Sequence, residues 1–234
     1  MVALLSQDIA LEFEKATGIK AIALPKYEKL DDPVSSHADM LVCVLEDHIF
    51  FYSDYYDKNK EIFKKISGYK IVLVEKECKS KYPNDIGLNV LVIGKKIFCN
   101  VKNTASEILA LAKKDNYEII DVKQGYSACS TMVLDENHAI TGDNGMCKVL
   151  INSGIETLLI DPKEIRLDGY NHGFVGGSVG VLDKNAYFFG EIKALSDGEK
   201  MIKFLKKTGI EEKYISKNQL FDFGGIKFLN CNVC

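Results

Sequence analysis

Gly68-Tyr69-Lys70-Ile71-Val72-Leu73-Val74 belongs to a pattern that occurs five times in the 234-residue chain. In each copy a helical stretch ends in Gly or Asn, followed by Ile or Tyr, then Lys or Glu, and then a short apolar run. Gly and Asn tolerate the left-handed conformation just past a helix C-terminus, so each copy predicts a helix end that leads directly into a strand. The five copies are Gly18-Ile19-Lys20, Gly68-Tyr69-Lys70, Asn116-Tyr117-Glu118, Gly154-Ile155-Glu156 and Gly209-Ile210-Glu211. Repetition at a spacing of roughly 40 to 50 residues is typical of an array or a closed ring.

A hairpin precedes four of the five predicted helices, and each hairpin consists of two apolar strands joined by a short polar turn. The strand pairs are Met40–Leu45 with His48–Tyr52, Leu88–Ile93 with Lys96–Asn100, Ser130–Leu134 with His138–Thr141, and Ser178–Leu182 with Ala186–Gly190. The helices that follow are Asp57–Ile66, Thr104–Lys113, Asn144–Ser153 and Asp197–Lys207. A third strand comes after each helix, so the repeated unit is strand, strand, helix, strand.

The remaining unit is divided between the two ends of the chain. Ser6–Thr17 and Ala21–Leu24 are its predicted helix and third strand, but hardly any hairpin precedes them. We expect Ile226–Asn230 to supply the missing strand by pairing with Val2–Leu5, which would close the ring. Closure removes the unprotected edges that an open array would leave. We therefore predict a single domain over residues 1–234.

Composition narrows the class of protein. Hydrophobic residues make up 47% and charged residues 27% of the chain, the ordinary mixture of a globular protein with a sizeable core. The net charge of -3, with acids and bases interspersed, favours neither nucleic acid nor an anionic membrane as partner. No targeting segment or long apolar run is evident, and the seven cysteines lack a disulfide-framework spacing, so we predict a cytoplasmic protein with reduced thiols. Arg166 is the only arginine, so an anion site would depend on lysines, backbone amides or that one residue.

A five-fold ring of strand-strand-helix-strand units resembles the pentein fold, the α/β-propeller of the guanidino-group-modifying enzymes. These include arginine and agmatine deiminases, dimethylarginine hydrolases and amidinotransferases. The same ring occurs without catalysis in the archaeal and eukaryotic factor that keeps the large ribosomal subunit from joining the small one. Four segments look most like an uncharacterised pentein-fold family of Firmicutes, namely His37–Met40, Tyr82–Asp85, Gly125–Thr131 and Gly169–Phe174. The resemblance implies an α/β fold with five-fold pseudosymmetry, closed by the C-terminal strand.

Polar segments occupy the same place in every unit, at the start of its first strand. Equivalent strand ends converge on one mouth of the central channel of a ring, so we predict that these side chains face one small-molecule pocket. The set comprises His37, Asp39, Asn84, Asp85, Asn89, Cys129, Ser130, His172, Ser178, Asn230 and Cys231. His37 and Asp39 are two residues apart at a predicted strand start, so their side chains should point the same way.

The enzymes of the pentein fold attack a guanidinium carbon with a cysteine thiolate, use a histidine as acid and base, and hold the cationic substrate with carboxylates. A nucleophile of this kind requires a lowered thiol pKa, which a neighbouring imidazolium promotes. The resemblance implies Cys129 or Cys231 as nucleophile, His172 or His37 as acid and base, and Asp39 with Asp85 as partners of the cation; we expect His172 to move the proton. In the deiminases the nucleophile lies in the last repeat, a few residues beyond a Gly-rich turn. The equivalent count from Gly224-Gly225 reaches Leu229, two residues before Cys231, so the sequence leaves open whether Cys129, Cys231 or neither residue acts.

Three functions remain open, because one fold hosts many activities. The first is a cysteine-dependent hydrolase or transferase for a guanidino or amidine compound, the second a non-catalytic scaffold like the ribosomal factor, and the third a protein that binds a small molecule or metal without turnover. The scarcity of arginine counts against amino-acid substrates, whose carboxylate is normally held by a guanidinium. The Cys, His and Asp cluster counts against a pure scaffold. Cys231-Asn232-Val233-Cys234 is a lone CxxC motif and weak support for zinc, so we predict a cationic small-molecule ligand and no metal or other cofactor.

Overall fold

The computed structural model describes residues 1–231, whose fifteen strands form five three-stranded sheets. In each sheet the first strand runs antiparallel to the middle strand, and the third runs parallel to it after a helical connection. The strands are β1 (Val2–Ser6), β2 (Lys20–Leu24), β3 (Cys43–Leu45), β4 (His48–Tyr52), β5 (Lys70–Val74), β6 (Leu91–Ile93), β7 (Lys96–Cys99), β8 (Glu118–Asp121), β9 (Thr131–Asp135), β10 (His138–Thr141), β11 (Glu156–Leu159), β12 (Val179–Leu182), β13 (Asn185–Phe188), β14 (Glu211–Tyr214) and β15 (Lys227–Leu229). The α-helices are α1 (Ala10–Thr17), α2 (Ala38–Leu41), α3 (Ser53–Lys58), α4 (Lys60–Phe63), α5 (Ser106–Lys114), α6 (Asn144–Asn152) and α7 (Gly198–Thr208). None of these helices within residues 1–231 has the length and apolar character needed to cross a membrane.

The predicted left-handed residue is confirmed at all five positions: Gly18, Gly68, Asn116, Gly154 and Gly209 have positive φ angles of 72°, 78°, 57°, 84° and 70°. Four of them lie within two residues of a helix end, whereas α4 already ends at Phe63, five residues before Gly68. At the end of α7, for example, the amide of Ile210 donates to the Leu205 carbonyl at 2.9 Å before β14 begins. The left-handed residue turns the chain back along its own sheet, which is why the third strand lies parallel to the middle one.

The predicted closure of the ring is also confirmed. β15 pairs antiparallel with β1, with Val2 opposite Leu229 and Leu4 opposite Lys227. This sheet has the order β15-β1-β2, so the two ends of the chain together build one unit. The five units give the five-fold pseudosymmetric α/β-propeller expected from the sequence.

The start of the second unit differs from the prediction. Met40–Leu45 was expected as a strand, but Ala38–Leu41 forms one helical turn and β3 begins only at Cys43. The His37 carbonyl accepts hydrogen bonds from the amides of Met40 and Leu41, both at 3.1 Å. His37 and Asp39 therefore do not share a strand face, and the expectation that they point the same way is wrong.

The helix predicted over Asp57–Ile66 is also divided. α3 ends at Lys58 and α4 begins at Lys60, with Asn59 between them at φ -115° and ψ 19°. The Asn59 side-chain amide donates to the Tyr55 carbonyl at 2.9 Å, where a continuous helix would place the Asn59 backbone amide. The other predicted strands and helices agree with the structure to within a few residues.

Burial differs between the three strands of each unit. Middle strands such as β4 and β7 are buried along most of their length, whereas third strands such as β5 and β8 are mostly half-buried or exposed. The first strands line a cavity of about 220 Å³ along the ring axis, which we call the axial cavity. Their contributions to its wall include Val44, Val92, Val133, Val181 and Lys227. One lysine thus stands among valines at the centre of the ring.

Candidate functional site

A second cavity of about 260 Å³ lies among the segments that lead into the first strands, and we call it the site cavity. Its lining contains acidic, imidazole, thiol, aromatic and aliphatic side chains: Val34, His37, Met40, Asp85, Tyr126, Cys129, Leu167, Tyr170, Asn171, His172, Phe174 and Asp222. No lysine or arginine among residues 1–231 is part of this lining. Two carboxyl groups without a Lys or Arg counter-ion favour a cationic ligand.

Cys129 belongs to a tight turn before β9 and is 5% exposed. The Asn89 side-chain amide donates to Cys129 Sγ at 2.9 Å, while its oxygen accepts the Ala128 backbone amide at 2.8 Å. Met40 Sδ lies 4.0 Å from the thiol sulfur. Asn89 was predicted to bind substrate, but it is not part of the cavity lining and instead donates a hydrogen bond to the thiol.

The electrostatic setting of Cys129 differs from the expected low-pKa thiolate. Burial raises the pKa of Cys129 well above its ordinary value, and the charges of Asp39 and Asp222 raise it further. The hydrogen bond from Asn89 opposes these effects but does not outweigh them. The protonated thiol is therefore the stable form at neutral pH when carboxylates are the nearest charges.

Asp39 does not line the site cavity, which corrects the prediction that it borders one pocket with Asp85. It is 3% exposed, it borders the axial cavity, and neither carboxylate oxygen has a hydrogen-bond partner among residues 1–231. Burial raises the pKa of Asp39 to about 6, attraction to His37 opposes this shift, and repulsion from Asp222 adds to it. Asp39 thus lies behind the wall of the site cavity, at the axial cavity.

Asp85 is the predicted carboxylate that does reach the site cavity. Its Oδ2 accepts the Tyr126 hydroxyl at 2.7 Å, whereas Oδ1 is buried without a partner in the described part of the chain. Burial raises the pKa of Asp85, and the hydrogen bond from Tyr126 opposes that shift. The neighbouring Asn84 is exposed and is not part of the lining, because its segment turns outward before Asp85.

Both predicted histidines line the site cavity but differ in their partners. His37 is 4% exposed, and its Nδ1 lies 3.7 Å from Asp222 Oδ1. His172 is partly exposed, and its Nδ1 lies 2.8 Å from the Gly173 carbonyl oxygen. A carbonyl accepts only, so Nδ1 of His172 carries the hydrogen and Nε2 of the neutral ring is left as the acceptor.

Asp222 is the functional candidate that the sequence interpretation missed. It is 1% exposed, its Oδ2 accepts the Phe174 amide at 2.8 Å and its Oδ1 accepts the Gly224 amide at 2.9 Å. Burial raises the pKa of Asp222, while attraction to His37 and the two amide hydrogen bonds oppose the shift. One feature of the sequence could have indicated it. Asp222 stands two residues before Gly224-Gly225, whereas the residue two positions before the similar pair Gly176-Gly177 is Phe174.

Ser130 and Ser178 do not reach the site cavity, contrary to prediction. Both are fully buried, and their hydroxyls donate to the carbonyls of Ser127 at 3.2 Å and Phe174 at 2.6 Å. These bonds stabilise the turns that lead into β9 and β12. Their role is to shape the cavity wall from inside the protein.

Cys231 does not lie at the site cavity either. It packs in the hydrophobic core with Leu229, because β15 runs away from the site cavity and ends at the opposite side of its sheet. Asn230, at the same end, is exposed. The CxxC motif ends at Cys234, which lies outside the described residues. Within residues 1–231, six cysteines are free thiols, and no group of three or more His, Cys, Asp or Glu side chains is arranged to hold a metal ion.

The chain belongs to a family of unknown function (DUF6873), whose model matches residues 5–227. No curated protein matches the sequence. Among solved structures, the chain is similar to a mutant DDAH from Pseudomonas aeruginosa complexed with citrulline, with a TM-score of 0.56, 7% identity and 91% of each chain covered. It is also similar to an inosamine-phosphate amidinotransferase from Streptomyces griseus, with a TM-score of 0.56, 16% identity and 93% of this chain against 75% of the other.

An agmatine deiminase from C. jejuni gives a TM-score of 0.52 at 10% identity, covering 92% of this chain and 75% of the other. Together these likenesses establish the pentein fold. At such identities they establish the fold alone. The predicted origin in Firmicutes stays a prediction.

Proposed function

We propose that this protein binds a small amidine or guanidine cation in the site cavity and attacks its central carbon with the Cys129 thiolate. The observation that carries the proposal is the lining of the site cavity, where a thiol, two histidines and two carboxyl groups meet without a lysine or arginine. The structural neighbours include guanidino-modifying enzymes, which supports the same class of ligand. We further propose that residues 1–234 form one cytoplasmic domain that needs no cofactor.

Asp85 is the side chain best suited to hold the cation. Asp85 borders the cavity, and its buried Oδ1 lacks a hydrogen-bond partner among residues 1–231, so an amidinium N–H would satisfy it. The Tyr126 hydroxyl keeps the other oxygen in place. The rings of Tyr126 and Phe174, whose centroids are 5.9 Å apart, offer flat apolar walls and cation–π attraction to a planar cation.

A bound cation would activate the thiol. The pKa of Cys129 is raised by burial and by the charges of Asp39 and Asp222, and a positive charge beside the sulfur opposes all three effects. A unit charge about 4 Å away at an effective dielectric constant near 20 contributes about 4 kcal/mol, equivalent to about three pKa units. The thiolate would therefore form when the correct ligand arrives, and unrelated electrophiles would meet a neutral thiol.

The chemistry then proceeds in two steps. Cys129 Sγ forms a bond to the amidine carbon, the bond from that carbon to the leaving amine breaks, and His172 in its protonated form gives the amine a proton. Water then attacks the same carbon while His172 takes a proton from it, and the carbon–sulfur bond breaks to restore the cysteine. Water as the acceptor gives hydrolysis, and an amine in its place gives amidino transfer.

The test compares 2-chloroacetamidine, which carries an amidinium beside an alkylating carbon, with neutral 2-chloroacetamide. Labelling of Cys129 at pH 7.5 is followed by intact mass spectrometry and peptide mapping, and both rates are normalised to free cysteine. We expect a preference for the amidine of about 100-fold, the equivalent of roughly 2.7 kcal/mol of cation binding. Asp85→Asn should remove most of the preference, whereas the exposed Asp183→Asn should keep it. Equal normalised rates would refute the proposal.

The raised pKa of Cys129 also favours a second candidate, a protein that binds such cations without turnover. The two are separated by incubating the protein with a panel of guanidino and amidine compounds and measuring release of ammonia or amine. Binding of benzamidine to Cys129→Ser is measured by titration calorimetry. Binding by this variant together with no turnover by the unsubstituted protein would favour the binding protein.

A further inference from the structure

We propose that the ligand of the site cavity is a guanidine or amidine whose substituent is short and apolar and carries no carboxylate. The inference rests on the proposed function, since it identifies the remainder of the molecule whose cationic end Asp85 holds. It distinguishes this ligand from an amino acid such as citrulline, which the similar DDAH structure contains. The support comes from the cavity wall that the proposed reaction does not use.

Burial gives the ligand a direction in the cavity. Asp85 and Cys129 are each 5% exposed, whereas Tyr170 is 46% exposed and Asn171 is also exposed. All four side chains line the site cavity, so the cavity opens beside Tyr170 and Asn171. A cation held by Asp85 lies at the buried end, and its substituent must run from there toward the opening.

Much of the remaining wall is apolar. Val34, Met40, Leu167 and Phe174 offer hydrocarbon, thioether and aromatic surface to the cavity. Met40 and Leu167 are buried, and Val34 and Phe174 are half-buried. Each methylene of the substituent that such surface covers should strengthen binding about fourfold.

The same wall has no cationic group for a carboxylate. Neither lysine nor arginine among residues 1–231 lines the site cavity. Arg166 precedes the lining residue Leu167, but its exposed guanidinium pairs with Asp168 at 2.9 Å. A carboxylate on the ligand would instead meet the like charges of Asp85 and Asp222, which line the cavity.

Several polar donors of the wall are already engaged within the protein. The Phe174 amide donates to Asp222 Oδ2 at 2.8 Å, and the Met40 amide donates to the His37 carbonyl at 3.1 Å. His172 Nδ1 donates to a backbone carbonyl at 2.8 Å, and His37 Nδ1 lies 3.7 Å from Asp222 Oδ1. A positive charge on His37 would therefore be neutralised by Asp222 before it met a ligand.

The size of the cavity limits the substituent. A volume of about 260 Å³ has room for about nine non-hydrogen atoms, if each takes the roughly 30 Å³ of one water in the liquid. A guanidine group accounts for about four of these atoms, which leaves about five for the substituent. A butyl chain fits this space.

The test compares n-butylguanidine, 4-guanidinobutanamide and 4-guanidinobutanoate as ligands of the full chain at pH 7.5. The amide and the carboxylate have the same shape, so their difference isolates the negative charge. We expect the amide to bind about 30-fold more tightly than the carboxylate, the equivalent of about 2 kcal/mol. Butylguanidine should bind about tenfold more tightly than the amide, because the apolar wall leaves a terminal amide unpaired.

Affinities are measured by titration calorimetry with Cys129→Ser, which prevents turnover. The same order should appear in the rise of the melting temperature that each ligand causes in the wild type, so the test does not depend on one variant.

Val34→Arg, combined with Cys129→Ser for calorimetry, adds a guanidinium to the wall and should bring the carboxylate to at least the affinity of the amide. Val34→Met adds length without charge and should keep the 30-fold preference.

The inference and the proposed function fail in different ways. Equal affinity of carboxylate and amide for the protein with Val34 intact would overturn the inference, whatever Val34→Arg does. Butylguanidine binding more weakly than the amide would also overturn it. Both results would leave a guanidine-binding cavity, whereas no binding of any of the three compounds would refute the proposed function itself.

Discussion

The site cavity and the axial cavity are similar in volume, about 260 and 220 Å³, but they are built by different segments of each unit. The site cavity is built by turns and loops before the first strands, and these carry the thiol, the histidines and the acids. The axial cavity is built largely by the strands themselves, and four of the five contribute valine. Strands that pack around a common axis need small branched side chains, whereas the loops before them are free to carry reactive groups.

Two residues break this division. Asp39 brings a carboxylate to the axial cavity from the turn of α2, and Lys227 brings an amine to it from β15. The pKa of Asp39 responds to Lys227 on the axial side and to Cys129 on the site side. The protonation of a carboxyl group at one cavity therefore depends on charges that lie at the other.

The largest expected effect comes from removing the strand that both cavities depend on. Truncation after Phe223 deletes β15 and with it the buried side chains of Ile226 and Leu229. Loss of each such side chain costs about 2 to 5 kcal/mol, against a total stability of about 5 to 15 kcal/mol. We expect no cooperative thermal unfolding transition by circular dichroism at 222 nm.

A peptide with the sequence of residues 224–234 should restore part of the transition when added to the truncated chain. An unchanged melting temperature without the peptide would show that neither cavity needs the closing strand. It would also argue against the prediction of one domain over residues 1–234.

The next effect concerns the unpaired carboxylate between the cavities. Because burial raises the pKa of Asp39 from its ordinary value near 3.8 to about 6, ionising it in the folded protein lowers stability as pH rises through that window. Between pH 5 and pH 7.5 this one group should lower the free energy of unfolding by about 1 to 2 kcal/mol. Asp39→Asn should remove that share of the pH dependence.

Urea unfolding at the two pH values measures the effect, with Asp183→Asn as the exposed control. Surface acids paired with lysines, such as Glu14 with Lys20, have lowered pKa values and lose their contribution only at lower pH. Identical pH dependence in wild type and Asp39→Asn would mean that the carboxylate between the cavities is not the source.

A smaller effect is expected from a substitution that changes only the site cavity, and the quantity affected is its affinity for a cation. Tyr126→Phe removes the 2.7 Å hydrogen bond to Asp85, which should raise the pKa of Asp85 further and weaken its hold on a cation. A hydrogen bond to a charged group contributes about 1.5 kcal/mol, so benzamidine affinity at pH 7 should fall about tenfold.

Tyr82→Phe is the matched control, because the Tyr82 ring packs 5.7 Å from that of Tyr126 but does not line the site cavity. Titration calorimetry measures both affinities. Equal affinity in the wild type and in Tyr126→Phe would remove Asp85 from the proposed cation site.

The smallest effect tests the link between the cavities. Lys227→Val gives the fifth first strand a valine at the axial cavity, like the other four, and removes an attraction that lowers the pKa of Asp39. The pH window in which Asp39 lowers the free energy of unfolding should then move to higher pH, by less than about one unit for a partly exposed charge. Urea unfolding across that window measures the shift, and Lys227→Arg should keep the wild-type window. An unchanged window in Lys227→Val would mean that Lys227 does not influence Asp39.

Much of the fold follows from local sequence signals. Gly18 and the four equivalent helix ends, the hairpin turns and the apolar strands each act within a few residues, so a repeated pattern predicts a repeated unit. The closing strand was predictable because one unit lacked a partner at the N-terminus. Hydrogen bonds that compete with the expected strand or helix were harder to predict. The Asn59 side chain interrupts a helix, and the carbonyl of His37 begins a helical turn where a strand was expected.

The site divides in the same way. Position in the repeat brought His37, Asp85, Cys129 and His172 to one cavity, because equivalent strand ends meet at one end of a ring. It could not separate Asp85, which faces that cavity, from Asp39, which lies behind it, since a side chain's direction depends on how its turn packs.

Tertiary structure alone decided the chemistry of the thiol. Asn89 meets Cys129 across 40 residues of chain, and Asp222 meets His37 across a still longer separation, so no local pattern records either contact. The pKa of Cys129 is set by burial and by carboxylates from distant segments, which raise it where a nearby imidazolium would lower it. Local sequence determines backbone conformation over a few residues, whereas desolvation and charge depend on everything that the folded chain brings within a few ångströms.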